Sequence, residues 1–367
     1  MAQFKMSDVD ALFKIKYEKL SENVYNSANV LLGRVKKSYN FTGKQLHIAI
    51  PQSFAGGVGS ASLPKADRAN YGAAIIKAKK MYAVVEIDRE TIKASLSDEG
   101  AFVRATKEVV QKGVESFMRN LSRALFNDGS GILGEVDSVS SQEITLKTTG
   151  DHAFKEANFE ERDQVDVQDV GTGNLNNSAQ AGTGLTITEV DPANNKITVS
   201  GTISAAAGDK IVMQGSLNAD PDGLKGVLQE KNRDSSKSYE ITHARKWRAE
   251  VKNAGAAIST DLLNEMMLKI KKKCGKTPNL IVASFKQYEK ILNLLEDQKQ
   301  YTVPTRAGLK SKSGADISFS GVTFMSVDGP VGIFPERFVE DDSVYLLNDS
   351  QIEIYHRPDF GWFDDDG

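Results

Sequence analysis

Apolar and polar positions follow different rhythms in successive parts of the chain. Near the N-terminus Val9, Leu12, Phe13, Tyr17 and Leu20 recur at helical spacing behind Ser7, a candidate N-cap. Lys14, Lys16 and Lys19 fall in the same stretch, which makes it a basic amphipathic segment, and Val24, Ala28, Leu31, Leu32 and Val35 continue the pattern beyond Ser21. Such a segment suits a core element, an arm laid over a neighbouring subunit, or a binder of an anionic polymer. The rhythm then becomes two. In residues 44–50 Leu46, Ile48 and Ile50 point one way, and Pro51 ends the run. Residues 55–72 are rich in Gly, Ser and Ala and hold no core. Extended character resumes through AIIKAKKMYAVVEIDRE, with Val84, Glu86 and Asp88. Two extended segments around a flexible tip predict a long two-stranded excursion, which is marginal in water unless it lies against something else.

The clearest helix comes next. Ser95 or Ser97 caps it, Asp98 and Glu99 occupy the first turn, and a stripe runs through Phe102, Val109, Val110, Val114, Phe117, Met118, Leu121 and Leu125 to the stop Asn127-Asp128-Gly129. A helix over 98–126 is about 43 Å long at 1.5 Å per residue and serves as a spine. Residues 132–216 change character again. EITLK, QVDVQDV, LTITEV, KITVSG and DKIVMQG read as short strands of a small barrel or sandwich, and 171–184 reads as a polar, mobile loop. The last third is α/β. Ser259 or Thr260 caps DLLNEMMLKIKKK, and Gly275 ends it. NLIVAS is a buried strand, Ser284-x-x-Gln287 a capping box opening another helix, and ISFSGVTFMSV, SVYLLND and QIEIYHR are strands separated by Gly and Pro turns.

Composition adds mostly exclusions. The 367 residues carry 46 basic and 49 acidic side chains, a net charge of −3, which argues against a generally basic nucleic-acid binder. Apolar content of 40% and charged content of 26% fit a folded chain. The longest apolar runs fall far short of the roughly 20 residues that span a bilayer, and no signal peptide opens the sequence. One cysteine, Cys274, excludes an internal disulfide framework, and the four scattered histidines leave little for a metal site. The total also conceals segments of opposite sign. Residues 1–50 hold 8 basic and 4 acidic residues, 151–200 hold 3 and 9, 251–300 hold 9 and 5, and 301–367 hold 5 and 12. These are solvated faces or complementary patches that meet between copies.

The search for chemistry finds little. No Walker A, G-x-S-x-G, H-E-x-x-H or G-x-G-x-x-G pattern is present, and GGVGS in the loop tip lacks the following Gly-Lys-Ser/Thr. Cys274 lies between lysines but no base is in evidence nearby, so it reads as an incidental thiol. Asp163, Asp166 and Asp169 recur every three residues without a calcium-loop pattern and read as a solvated acidic face. Trp247 and Trp362 read as packing or interface residues, and the basic run His243–Arg248 as a helix face or subunit contact. Neither catalysis nor a cofactor is expected.

The order of parts is more specific than any one motif: basic arm, two-stranded excursion, spine helix, β-rich insert, α/β domain. It resembles the major capsid proteins of tailed bacteriophages with the Hong Kong phage capsid fold. P278-N-L-I-V-A-S-F-K-Q-Y-E-K-I-L292 looks like that family's strand-then-helix unit, and S318-F-S-G-V-T-F-M-S-V-D328 like the strand after it. The resemblance implies an α+β fold with an N-terminal arm over 1–40, an extended loop over 41–92 and the spine helix of a peripheral domain over 93–131. It further implies a β-rich insertion with peripheral strands over 132–219, an axial domain over 220–330 and C-terminal strands and tail over 331–367. It implies a shell subunit that forms pentamers and hexamers around double-stranded DNA in a virion assembled in the bacterial cytoplasm. Partners would be other copies, packaged DNA, a separate scaffolding protein (the sequence starts directly at the arm), a portal and decoration proteins, with no membrane. Lys65, Arg68, Lys77, Lys79 and Lys80 become candidate inter-subunit contacts; Lys14, Lys16, Lys19, Arg34, Lys36 and Lys37 become interior or arm basic candidates. Some relatives form Lys–Asn cross-links, but no acceptor motif is identifiable here. An encapsulin-like compartment shell shares the fold, and a soluble enzyme or binding module with a β-rich domain is the reading from another class.

Overall fold

The computed structural model describes residues 30–38, 41, 43–53, 70–82, 99–178, 181–228, 249–297, 309–310, 316–317 and 322–356. The sequence expectations for residues 7–28 and 83–98, the tip at 55–69, the basic run 243–248 and Trp362 lie outside them. The described chain is mixed α and β. In order it forms α1 (Val30–Arg34), β1 (Lys36–Ser38), β2 (Gln45–Ser53), β3 (Asn70–Lys77), α2 (Glu99–Phe126), β4 (Ile132–Ser140), β5 (Glu143–Leu146), β6 (Gln164–Gln168), β7 (Leu175–Asn177), β8 (Leu185–Asp191), β9 (Lys196–Val199) and β10 (Lys210–Met213). Then come α3 (Leu224–Leu228), α4 (Thr260–Cys274), β11 (Leu280–Ala283), α5 (Phe285–Asp297), β12 (Leu309–Lys310), β13 (Asp316–Ile317), β14 (Val322–Ser326), β15 (Gly329–Pro335), β16 (Val344–Leu347) and β17 (Glu353–Tyr355).

The insert is a barrel. Its strands run β10-β4-β5-β9-β8-β6, and β6 pairs back onto β10 through Val165 to Gln168, so the ring closes; β7 adds onto β6. Alternate residues point inward along most of the strands, as period two requires, and register shifts in β4 space its inward residues Leu133 and Val136 three apart. Leu133 and Val136, Ile144 and Leu146, Val165 and Val167, Leu185 and Ile187, Ile197 and Val199, and Ile211 fill the interior with Phe159. Closure leaves these strands no open edge. Two expectations change here. The strand β4, which the sequence reading passed over, is a barrel stave. The segment 171–184 carries β7, and Asn177 pins it: its side chain donates to the carbonyls of Thr183 (3.0 Å) and Thr202 (3.1 Å) and accepts from the Ser204 amide (2.8 Å).

The second body is a four-stranded sheet, β14-β15-β11-β16, with β11 and β15 parallel and the other pairs antiparallel. Helices cover both faces. Leu280 and Val282 of β11, with Phe334 and Leu347, meet Phe126 at the end of the spine, Val30, Leu31 and Val35 from the α1 segment, and Leu224 of α3. Ile281 and Ala283, with Val331 and Ile333, face Leu263 and Met267 of α4 and Ile291 of α5. The continuous apolar run LIVA is what a strand buried on both faces needs. β15, GPVGIFP, reads as turns in sequence yet is the parallel partner of β11. Pro335 is tolerated at the end of the pairing with β11, and Pro330 lies beside the turn, opposite Met325 of β14 and before the pairing with β11 begins at Gly332.

Local signals hold at α4: Ser259 accepts from the Leu262 amide (3.2 Å), and Gly275 at φ 73° closes the helix with its amide on Lys271 O (2.8 Å). The capping box at α5 is only half formed. Ser284 Oγ accepts from the Gln287 amide, but the Gln287 side chain donates to Asp341 O (2.9 Å), as does Ser284 Oγ (2.9 Å). The spine ends against α3. A Cβ on Gly223 would lie 2.2 Å from Ala124 O and 2.4 Å from Asn127 O, so only glycine allows that approach.

Candidate assembly surfaces

β2 and β3 pair in register from Gln45 opposite Lys77 to Pro51 opposite Tyr71, the register shifts so that Ser53 lies opposite Asn70, and Ala78 N donates to Lys44 O (3.0 Å) at the base. Among the described residues no third strand joins them. Gln45, His47 and Ala49 are exposed, while Leu46, Ile48, Ile75 and Ile76 are only half-buried. Among the described residues the ribbon therefore leaves two open edges and an incompletely covered apolar face. Of the candidate contact residues, Lys65 and Arg68 lie outside the described residues; Lys77, Lys79 and Lys80 lie exposed at the base, beside the exposed Tyr82. Lys79 donates to Asn218 O (2.6 Å), tying the base to the loop that leaves the barrel. Asp220 and Asp222 sit in that loop. Burial pushes both carboxyls up, opposed by Arg123 and Lys79 at Asp220 and by Lys79 at Asp222.

The N-terminal basic candidates divide. Lys14, Lys16 and Lys19 lie outside the described residues. Arg34 Nε pairs with Asp349 Oδ2 (2.8 Å), and Lys36 Nζ with Glu353 Oε1 (2.5 Å), while Lys37 pairs in register with Ile354 across the parallel β1–β17 ladder. Part of the basic excess of the first fifty residues thus meets part of the acidic excess of the C-terminal segment within one chain.

The acidic triplet Asp163, Asp166 and Asp169 is not a solvated face. Asp163 takes both oxygens to Arg119 of α2 (2.9 and 2.7 Å), clamping barrel to spine, and Glu160 also pairs with Arg119. Asp166, 1% exposed, accepts from the Gly215 amide (3.2 Å). Asp169 caps its turn by accepting from Gly171 N (2.6 Å) and Thr172 N (3.1 Å). Strand alternation predicts the buried Val165 and Val167, but the burial of Asp166 between them comes from packing outside the barrel wall.

A third surface had no sequence signal. Met325 and Val327, 68% and 59% exposed, lie on the edge strand β14 and its turn, and Leu268, Phe285 and Leu292 project from α4 and α5. Exposure depends on what packs alongside, so periodicity cannot reveal it. Among the described residues no group of three or more His, Cys, Asp or Glu is placed to hold a metal, and no helix is long and apolar enough to cross a membrane. Cys274 is exposed, its Sγ 2.9 Å from Ile270 O.

Comparison with known families matches residues 193–360 to the family described as SU10 major capsid protein. That span takes in the last barrel strands, α3 to α5 and the whole four-stranded sheet. No curated protein and no solved structure matches the chain. The family match supports a phage major capsid protein, and with it a structural role in a capsid and self-association.

Proposed function

We propose that this chain is the shell subunit of a tailed-phage head, assembling as pentamers and hexamers into an icosahedral capsid around double-stranded DNA. In this reading the fold is of the Hong Kong phage type: 1–40 the N-arm, 41–92 the extended loop, 93–131 the spine, 132–219 the insertion with peripheral strands, 220–330 the axial domain and 331–367 the returning strands and tail. The observation that carries it is the β2–β3 ribbon, whose edges and apolar face find no partner strand among the described residues. A neighbouring copy is the partner such a ribbon suits, and heterologous contacts repeated in rings build closed shells. Lys65, Arg68, Lys77 and Lys80 then face the neighbour, with Lys79 holding the base. Lys14, Lys16 and Lys19 face DNA, since Arg34 and Lys36 are engaged with Asp349 and Glu353. A separate scaffolding protein, a portal and decoration proteins complete the assembly in the host cytoplasm.

Electron microscopy of the chain expressed alone, and with its neighbouring phage genes, tests this. Icosahedral shells with the ribbon lying over an adjacent subunit are expected. DNA-free shells loaded with protein in the native source would favour an encapsulin-like compartment. A monodisperse monomer under both conditions would remove either shell reading.

A further inference from the structure

A small polar cavity lies where the spine, the barrel, α3 and the C-terminal loop meet. Its walls include Asn127 and Asp128 after α2, Leu133 of β4, the segment His152 to Asn158, Lys225 of α3 and Glu340. Two side-chain atoms of the lining residues make no hydrogen bond to the protein although those residues are more than nine-tenths buried: Asn127 Nδ2, a donor, and Asn158 Oδ1, an acceptor. The orientation of Asn158 is set independently, because its Nδ2 donates to Leu133 O (3.0 Å). Two charged contacts across the same walls are too long to be direct hydrogen bonds. Lys155 Nζ stands 3.7 Å from Glu340 Oε1, and His152 Nε2 stands 3.7 Å from Asp128 Oδ2.

An orphaned donor and an orphaned acceptor on one cavity call for an occupant that both accepts and donates. A simple anion leaves the acceptor unsatisfied, and a metal cation leaves the donor unsatisfied. The space admits a single water-sized molecule. We propose that this cavity is a built site for one structural water, which accepts from Asn127 Nδ2 and donates to Asn158 Oδ1, leaving it one further bond to accept and one to donate among the polar groups around it. The water joins barrel to sheet body at the point where four elements converge. Burial draws Lys155, which donates to Phe338 O (3.4 Å), down to about 8 against the pull of Glu340, and lowers His152 against Asp128.

A structure at about 2 Å resolution or better, of the full chain alone or assembled, reads the site directly. Expected is one density peak within hydrogen-bond reach of both Asn127 Nδ2 and Asn158 Oδ1. No peak, with Lys155 collapsed into direct contact with Glu340, would overturn the proposal, as would a peak with the coordination number and short distances of a metal. Ala153→Val supplies a second measurement, because Ala153 lines the cavity. Expelling a hydrogen-bonded water lowers the thermal midpoint by several degrees; filling a dry void raises it or leaves it unchanged, and that outcome also overturns the proposal.

Discussion

The barrel and the β2–β3 ribbon are both antiparallel β-structure, yet they solve the edge problem in opposite ways. The barrel returns β6 onto β10 and buries six pairs of strand neighbours around one apolar interior. Among the described residues the ribbon has two strands. Hydrogen bonds along a ladder are equally available to both; what differs is whether the sheet curls far enough to cover its own face. A closed sheet is complete in one chain, whereas an open ribbon of this length becomes complete only against another surface. On the proposed function, stability and assembly are therefore lodged in different parts of the same polypeptide.

Several experiments can break or sharpen that contrast. The largest effect is expected from replacing residues 44–78 with a short Gly-Ser linker. Particle formation should be lost in sedimentation and micrographs, while amide-exchange protection of the barrel strands stays at its parental level; loss of barrel protection would mean the two regions are not independent. Leu146→Ala, inside the barrel, should cost about 2–5 kcal/mol in denaturant unfolding and leave the ribbon's exchange unchanged. Arg119→Met should cost about 2 kcal/mol, because it leaves the half-buried Asp163 without the guanidinium nitrogen that both its oxygens share. It should also loosen the barrel relative to the spine, seen as faster exchange in residues 160–168. Lys79→Met should be nearly silent in global unfolding but speed exchange across 70–77, with Lys79→Arg restoring protection; equal exchange in all three proteins would show that Asn218 does not anchor the ribbon.

The smallest effect is expected from acid. Glu135 on the barrel wall is partly desolvated, which raises its pKa, but its bonds to Lys147 and Lys210 outweigh that and hold it below its ordinary 4.5. A depressed carboxyl stabilises the fold above 4.5, and that contribution disappears as pH falls through the lower, folded-state value. Glu135→Gln should flatten the acid limb of barrel unfolding slightly, and a titration of exchange rates from pH 5 downward checks it. The described part of the ribbon contains no carboxylate, so its own exchange should show no matching acid limb.

Much of the molecule is legible as periodicity. The 3.6-residue stripe marks α2 to within a residue, Ser259 and Gly275 bracket α4, and five of the barrel strands announce themselves by alternation, because each depends on neighbours within one turn or one pleat. The two-stranded excursion is legible too, although β3 begins earlier than the apolar pattern suggests. What only the tertiary structure decided is non-local. The β6–β10 pairing that turns a row of strands into a barrel joins residues more than forty positions apart. GPVGIFP becomes a sheet strand because β11 and β14 supply ladders on either side. Asp166 is buried by the loop at Gly215, Gln287 leaves its local cap for Asp341, and Arg34 and Lys36 meet acids more than three hundred residues away. Local sequence sets which conformations a segment favours; the partners that satisfy its edges and charges are chosen only when distant segments are brought within bonding distance.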